Sequence, residues 1–271
     1  MLVVVLWMIA ALSVLVVGLS QTSRLNTQMV QYHRGEVEAR AFLEAGLIAG
    51  AAQAAWVGAT GQRHGGELAL GDVEVVFRVL PATGFVDLNA ASHELLVALF
   101  HLGGEVEESE AVAMASAVVE QRQRVESLPR GDPERYQGPL RVVEDLALVP
   151  GVSLDLRDII FPMVTVYSGS SRINPFASPP EVLSAVAPEA VAWVADRLHA
   201  LPDPMQAPPG LDGPLDAGSF FSLESGEAFR VDASVKWRSR VWRISRWYRF
   251  STSADDLMGV VRLRTEALTS G

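Results

Sequence analysis

The chain has 271 residues, so it is long enough to bury a hydrophobic core. Its formal net charge of −10 argues against a general nucleic-acid-binding protein, because such proteins present a basic surface. It contains no cysteine, which excludes disulfides and thiolate metal sites.

The N-terminal stretch over residues 2–19 carries no charged side chain. As a helix rising ~1.5 Å per residue it would be about 27 Å long, close to the thickness of a bilayer core. It lacks the basic start and the small-residue cleavage site of a secretory signal peptide. We therefore predict a transmembrane helix over residues 1–22; a buried core helix of a soluble protein is the alternative. The predicted membrane-anchoring and subunit-packing residues are Leu2, Val5, Leu6, Trp7, Leu12, Leu15 and Leu19.

The basic residues nearest to this stretch, Arg24 and Arg34, follow it rather than precede it. Basic residues flank the cytoplasmic end of a membrane span. Taken alone, this pattern would therefore place the C-terminal end of the helix in the cytoplasm. We expect a short basic leader upstream of the sequence as given.

The helix is predicted to continue beyond the membrane, because residues 20–55 contain no proline. Apolar or small residues recur there at helical spacing, namely Val37, Ala41, Ala45, Ile48 and Ala52. The four small residues predicted to pack closely against a sheet are Ala45, Gly46, Ala49 and Gly50.

Strands and then helices are predicted after this helix. Residues 67–80 alternate valines with other residues, and Gly71-Asp72 predicts a hairpin turn. From residue 85 the period becomes helical, with Ser92 as N-cap and Gly103-Gly104 as the stop. Further helices are predicted over about residues 109–124, 142–148, 154–160 and 178–199, with an extended piece at 163–167.

Two helix starts resemble each other, because Asn89 precedes one and Asn174 the other. Ordinary turn chemistry and a repeated helical unit both explain this echo. In the second copy, Ser178, Pro179 and Glu181 predict a capping box.

The C-terminal part returns to strands, predicted at about residues 228–235, 238–250 and 258–265. Their alternation predicts an antiparallel sheet with one solvated face. Their arginines form either that solvated face or a docking face for an acidic neighbour.

Strands on both sides of the helical block most simply form one sheet. The predicted organisation is a membrane helix (1–22), its continuation with the first strands (23–84), an inserted helical domain (85–200), a Pro/Gly-rich loop (201–218) and C-terminal strands (219–271).

No catalytic, cofactor-binding or metal-binding residue is predicted, because the five histidines have no ligand spacing and no phosphate-binding loop occurs. Two glycine turns, at residues 102–108 and 149–155, resemble helix-hairpin-helix modules, which hold DNA phosphate. The first carries Glu105, Glu107 and Glu108, whose charges would repel phosphate. A membrane-anchored DNA-binding protein of an uptake system is the alternative function.

Taken together, the chain resembles the protein K family of the type II secretion pathway, the large minor pseudopilins. The segments that carry the resemblance are VVVLWMIAAL, EARAFLEAGLIAG, GFVDLNAAS and PGV followed by FPMVTVYSGSSRINPFAS, with the tryptophan- and arginine-rich last strands. The resemblance implies an α+β, pilin-like fold, in which a long N-terminal transmembrane helix packs on an antiparallel sheet with a large all-helical domain inserted between strands.

The resemblance also implies a location and partners. The chain would be a single-pass protein of the bacterial inner membrane with its globular part in the periplasm. It would cap the pseudopilus tip with the I and J minor pseudopilins and prime assembly, with the major pseudopilin and the inner-membrane assembly platform as further partners. Calcium is implied by the resemblance only, and no ligand is assigned. Most pilin-like subunits carry glutamate at the fifth mature position, whereas Val4, Val5 and Leu6 are all apolar here.

Overall fold

The computed structural model describes residues 2–53, 58, 60–126, 140–200, 220–250, 260–265 and 269–270; along the first helix it describes the side chains of residues 3–8, 12 and 33–53. The helices are α1 (Leu2–Ala52), α2 (His93–Ala98), α3 (Glu108–Glu126), α4 (Leu154–Ile160), α5 (Pro180–Val186) and α6 (Ala190–His199). The strands are β1 (His64–Leu70), β2 (Val73–Pro81), β3 (Val86–Asp87), β4 (Val164–Thr165), β5 (Ala228–Trp237), β6 (Arg240–Phe250), β7 (Val260–Thr265) and β8 (Thr269–Ser270).

The main sheet is antiparallel in the order β1-β2-β5-β6-β7, and β8 also pairs with β6. Gly71 (φ 62°) makes the predicted turn between β1 and β2. Arg238 (φ 51°) and Ser239 (φ 67°) connect β5 to β6, and positive φ at both positions is typical of the tightest hairpin turns. Because β2 pairs with β5, the strands before and after the helical block lie side by side in one sheet.

The block between β2 and β5 is mostly helical, but it is not all-helical as predicted. Strands β3 and β4 form a short parallel pair inside it, through Val86–Val164 and Asp87–Thr165. The predicted N-cap is confirmed, because the Ser92 hydroxyl accepts a hydrogen bond from the Leu95 N–H at 3.2 Å.

The predicted capping box at Ser178 is wrong. Helix α5 begins at Pro180 with Pro179 as its N-cap residue, and no side chain caps it. The Ser178 hydroxyl instead donates to the Asn174 carbonyl at 2.8 Å, so it closes the preceding turn and is fully buried there. Local turn bonding has therefore taken the hydroxyl away from the helix end.

Both faces of the sheet are packed, which corrects the prediction of one solvated face. One face packs against α1, while part of the other is covered by the helical block. Trp247 lies on that second face and is 2% exposed. The centroid of its ring is 5.4 Å from that of Phe85 and 5.3 Å from that of Tyr167. The two hydrophobic cores therefore share the sheet as a common wall.

Candidate assembly surface on the long helix

The C-terminal half of α1 packs on the sheet through one row of side chains. Ala39, Leu43, Leu47 and Ala51 follow each other at four-residue spacing and are at most 1% exposed. They share a core with apolar residues of β2, β5 and β6. Since residues four apart lie on one side of a helix, this row fixes which face of α1 meets the sheet.

Gly46 and Gly50 allow a close approach between α1 and the sheet. A Cβ atom on Gly46 would lie 2.7 Å from Cγ1 of Val75, and one on Gly50 would lie 2.4 Å from Cγ1 of Val231. Both glycines are buried, and their neighbours Ala45 and Ala49 are half-buried. Gly46 and Gly50 therefore lie on the side of α1 that faces the sheet, and Ala49 packs against the same core. The predicted sheet contact of Ala45, which belongs to the outer repeat, stays a prediction.

The opposite side of α1 is also apolar, and it is exposed. Val37 is 69% exposed and Ile48 is 56% exposed, while Ala41 and Ala52 are exposed as well. These residues belong to the helical repeat that is visible in the sequence, so that repeat marks the outer side rather than the packed side. Sequence reasoning missed the row from Ala39 to Ala51, because α1 has apolar residues on two sides and their spacing alone does not show which side packs on the sheet. Gly46 and Gly50 were the signal that could have identified the packed side.

Ion pairs fix the position of α1 along the sheet. Arg246 of β6 donates to both carboxylate oxygens of Glu44, at 2.8 and 2.6 Å, and to the Thr265 hydroxyl at 2.9 Å. This bidentate pairing requires a defined position of both the guanidinium and the carboxylate. Nearer the start of α1, Glu38 pairs with Arg238 at 2.8 Å. The C-terminal arginines were predicted to form a solvated or a docking face, whereas these two hold α1.

The Glu44–Arg246 pair predicts a pH dependence of stability. The hydrogen bond from Arg246 lowers the pKa of Glu44 below its ordinary value of 4.5, and burial opposes this shift. A carboxyl whose pKa is lower in the folded chain contributes stability above its unfolded pKa and loses it as pH falls through the folded pKa. We expect Glu44→Gln to lose less stability than the unmodified chain between neutral pH and about pH 3, because the loss falls below the ordinary pKa of 4.5. Urea unfolding at both pH values measures this; equal losses in the two proteins would contradict it.

The N-terminal part of α1 presents apolar side chains to its surroundings. Val5, Leu6, Trp7 and Leu12 are 56%, 65%, 74% and 58% exposed. The side chains of Leu2, Leu15 and Leu19, which belong to the same predicted anchor, lie outside the described residues. Within the described part of the chain, no helix meets the length and apolarity needed to cross a membrane. The transmembrane segment stays a prediction.

A buried carboxylate, which sequence reasoning missed, joins the start of the helical block to the loop that follows β4. Asp87 is 1% exposed, and its Oδ1 accepts the N–H groups of Asn89 and Ala90 at 2.7 and 3.1 Å. Its Oδ2 accepts the Ser168 and Gly169 N–H groups, both at 2.8 Å, and the Ser168 hydroxyl at 3.0 Å. In the sequence, the GFVDLNAAS segment indicates only the approach to a helix. The position of Asp87 at the end of a short strand was the missing signal.

Asn89 and Asn174 of the predicted echo have structural roles. The Asn89 side-chain amide donates to the Leu140 carbonyl at 2.9 Å. The Asn174 amide donates to the Gly61 carbonyl at 3.1 Å, and its oxygen accepts the Phe176 N–H at 3.0 Å. The two asparagines therefore contact unlike neighbours, which favours ordinary turn chemistry over a repeated unit.

The first candidate phosphate-binding turn is used for packing. A Cβ on Gly103 would lie 2.9 Å from the Ala185 Cβ, and one on Gly104 would lie 2.7 Å from the Phe100 carbonyl oxygen. Close packing thus accounts for both glycines without a bound phosphate. Among the described residues, no three potential metal-ligating side chains lie together, and calcium stays an implication of the resemblance alone.

The architecture of long helix, antiparallel sheet and inserted helical block is that of a pseudopilin-like fold. It is similar to a chain in the crystal structure of the GspK–GspI–GspJ complex from the type 2 secretion system of enterotoxigenic Escherichia coli. The TM-score is 0.52, the match covers 92% of this chain and 99% of that chain, and sequence identity is 13%. At this identity the likeness defines the fold, and the predicted mixture of helices with an antiparallel sheet is confirmed. No protein-family model and no curated protein matches the sequence.

Proposed function

We propose that the chain is a minor pseudopilin of the protein K type in a type II secretion system. It caps the tip of the pseudopilus together with I- and J-type minor pseudopilins and primes its assembly. Residues 2–19 anchor it in the inner membrane, and the globular part lies in the periplasm. Its role is to scaffold, and it performs no chemistry.

The observation that carries this proposal is the fold, whose likeness extends over nearly the full length of a chain from a complex of such proteins. The two apolar sides of α1 support it. One side, from Ala39 to Ala51, is covered by the sheet, whereas Val37 and Ile48 on the other are exposed. Exposed apolar side chains along a helix are suited to packing against a neighbouring subunit.

Copurification tests the proposal. The full-length chain, extracted in detergent with tagged I- and J-type pseudopilins of the same system, is expected to form a stable complex with both. A chain carrying Val37→Asp and Ile48→Asp is expected to lose that complex, because two carboxylates would be buried without partners in the interface. Gly50→Leu changes the sheet side instead and would lower stability. Retention of the complex by the doubly substituted, folded chain would contradict the proposed surface.

Val5 is an apolar residue of the predicted anchor, so a charge there is expected to have a strong effect. In Val5→Glu, a carboxylate enters the lipid at a cost of roughly 3 kcal/mol unless a neighbour's amine pairs with it. A subunit at the tip has no neighbour above it to supply that amine. We therefore expect Val5→Glu to abolish secretion while Val5→Leu preserves it, as measured by the secreted fraction of a substrate. Normal secretion with a fully incorporated Val5→Glu subunit would contradict the tip position.

A further inference from the structure

A cleft of about 290 Å³ lies on the sheet face that points away from α1. Strand register assembles its floor, because Arg78 of β2 pairs with Asp232 of β5, which pairs with Ser245 of β6. Arg243, two residues before Ser245 in β6, joins the same face. Phe161, at the end of α4, comes from the helical block and forms a side wall. The cleft therefore lies at the junction of the sheet and the inserted block.

One side of the cleft is a fixed arrangement of charges. The Asp232 carboxylate is paired with Arg230, through Nε at 2.8 Å and Nη2 at 3.1 Å, and Arg78 Nη2 approaches it at 3.6 Å. The Arg230 side chain is 10% exposed, and its guanidinium lies 4.5 Å from the centre of the Phe85 ring. Packing thus holds Arg230 and Asp232 in place, so this part of the cleft is organised before any ligand binds.

Positive charge is in excess inside the cleft. Three guanidinium groups, those of Arg78, Arg230 and Arg243, line it together with the single carboxylate of Asp232. The Arg78 side chain is 58% exposed, and within the described residues no carboxylate forms an ion pair with Arg243, which is exposed. Each guanidinium has five N–H donors, so donors on Arg78 and Arg243 are available to a second anion.

The side chains that line the cleft determine which anion fits it. A guanidinium fork matches planar oxygen pairs such as a carboxylate. Beside the arginines stand two apolar groups, Phe161 and the 41%-exposed Val76, which would contact an apolar group attached to that carboxylate. The chain as a whole carries a charge of −10, so recognition of an anion here acts at short range rather than by long-range attraction.

We propose that this cleft binds a carboxylate of a partner peptide, carried by an acidic residue next to an apolar one. The site goes beyond the proposed function, because α1 contributes nothing to it. Arg78 and Arg243 contact the carboxylate, Ser245 stands beside them, and the apolar neighbour lies against Val76 and Phe161.

The test is a fluorescence anisotropy titration of the full-length chain in detergent. The probe is a labelled, end-blocked peptide with the sequence Ala-Leu-Asp-Leu-Ala, and its twin carries Asn in place of Asp. The acidic probe is expected to bind at least about tenfold more tightly than its twin, as suits a charge-assisted hydrogen bond. Arg243→Gln and Arg78→Gln are each expected to remove that preference. Arg249→Gln, an exposed arginine of β6 outside the cleft, is expected to leave it unchanged.

Equal binding of the two peptides would overturn the proposal, as would an equal loss of binding in Arg249→Gln. Competition separates a peptide carboxylate from a free anion. If inorganic phosphate displaced the probe at the same concentration as the unlabelled peptide, the apolar wall would play no part and the assignment to a peptide would fail. Failure of the complex with I- and J-type pseudopilins would leave these results unaffected, so the two proposals can fail separately.

Discussion

Asp87→Ala is expected to lower the free energy of unfolding by about 3 kcal/mol. The Asp87 carboxylate accepts four backbone N–H groups and one hydroxyl. Alanine would leave these donors without a partner, and a donor deprived of its acceptor costs more than the original bond contributed. Urea unfolding followed by far-ultraviolet circular dichroism measures the change.

Two further variants make this prediction specific. Asp87→Asn retains one oxygen and turns an NH₂ group toward the remaining donors, so an intermediate loss is expected. Asp158→Asn is the matched control, because that side chain is 67% exposed and pairs with its neighbour Arg157 in an exposed contact. If Asp87→Ala had the same free energy of unfolding as the control, water would be replacing the carboxylate as acceptor. The proposed structural role of Asp87 would then be wrong.

Gly50→Leu is expected to destabilise the chain by about 2–3 kcal/mol. The first side-chain carbon alone would lie 2.4 Å from Cγ1 of Val231 and 3.3 Å from Cδ2 of Phe77. Both are core residues of the sheet, so α1 must move outward. This movement would also loosen the packing of Leu47, in the same turn of the helix. The better helix propensity of leucine offsets only about 1 kcal/mol of the loss.

Ala52→Leu provides the control, since Ala52 lies on the exposed side of the same turn of α1. It enlarges the side chain without meeting the sheet, so its free energy of unfolding should stay within about 0.5 kcal/mol of the unmodified chain. Gly46→Leu should behave like Gly50→Leu, because it meets Val75 at 2.7 Å. Equal stability of Gly50→Leu and Ala52→Leu would contradict the close approach.

Local patterns in the sequence were sufficient for the elements that depend on local chemistry. The hairpin turn at Gly71 and the N-cap at Ser92 were predictable, because positive φ and a cap hydroxyl each act within a few residues. The predicted strands at 228–235 and 238–250 correspond to β5 and β6 with small shifts at their ends. The predicted capping box at Ser178 was wrong for a reason that is also local. The Ser178 hydroxyl donates to the nearby Asn174 carbonyl instead of capping the helix.

Contacts between distant residues could not be predicted in the same way. Alternation along β6 marks two faces, but it cannot tell that the helical block covers one of them at Trp247. The pairing of Glu44 with Arg246 joins residues far apart in the chain, and many other acids and arginines offered equal alternatives. Asp87 looked like an ordinary turn residue because its donors at Ser168 and Gly169 come from a remote loop.

The placement of the helical block between adjacent strands has a consequence for the order of folding. Strand β2 carries the core residues Val75, Phe77 and Val79, and during synthesis it must wait for β5 to cover its open edge. An uncovered apolar edge invites pairing with other chains. Within the described part of the block, helices contact their neighbours in sequence, as α2 does with α3 and α5 with α6. A compact block brings the two strands closer than a loose loop would. We therefore expect the block to fold before β2 closes against β5, which would shield the open edge of β2 from other chains.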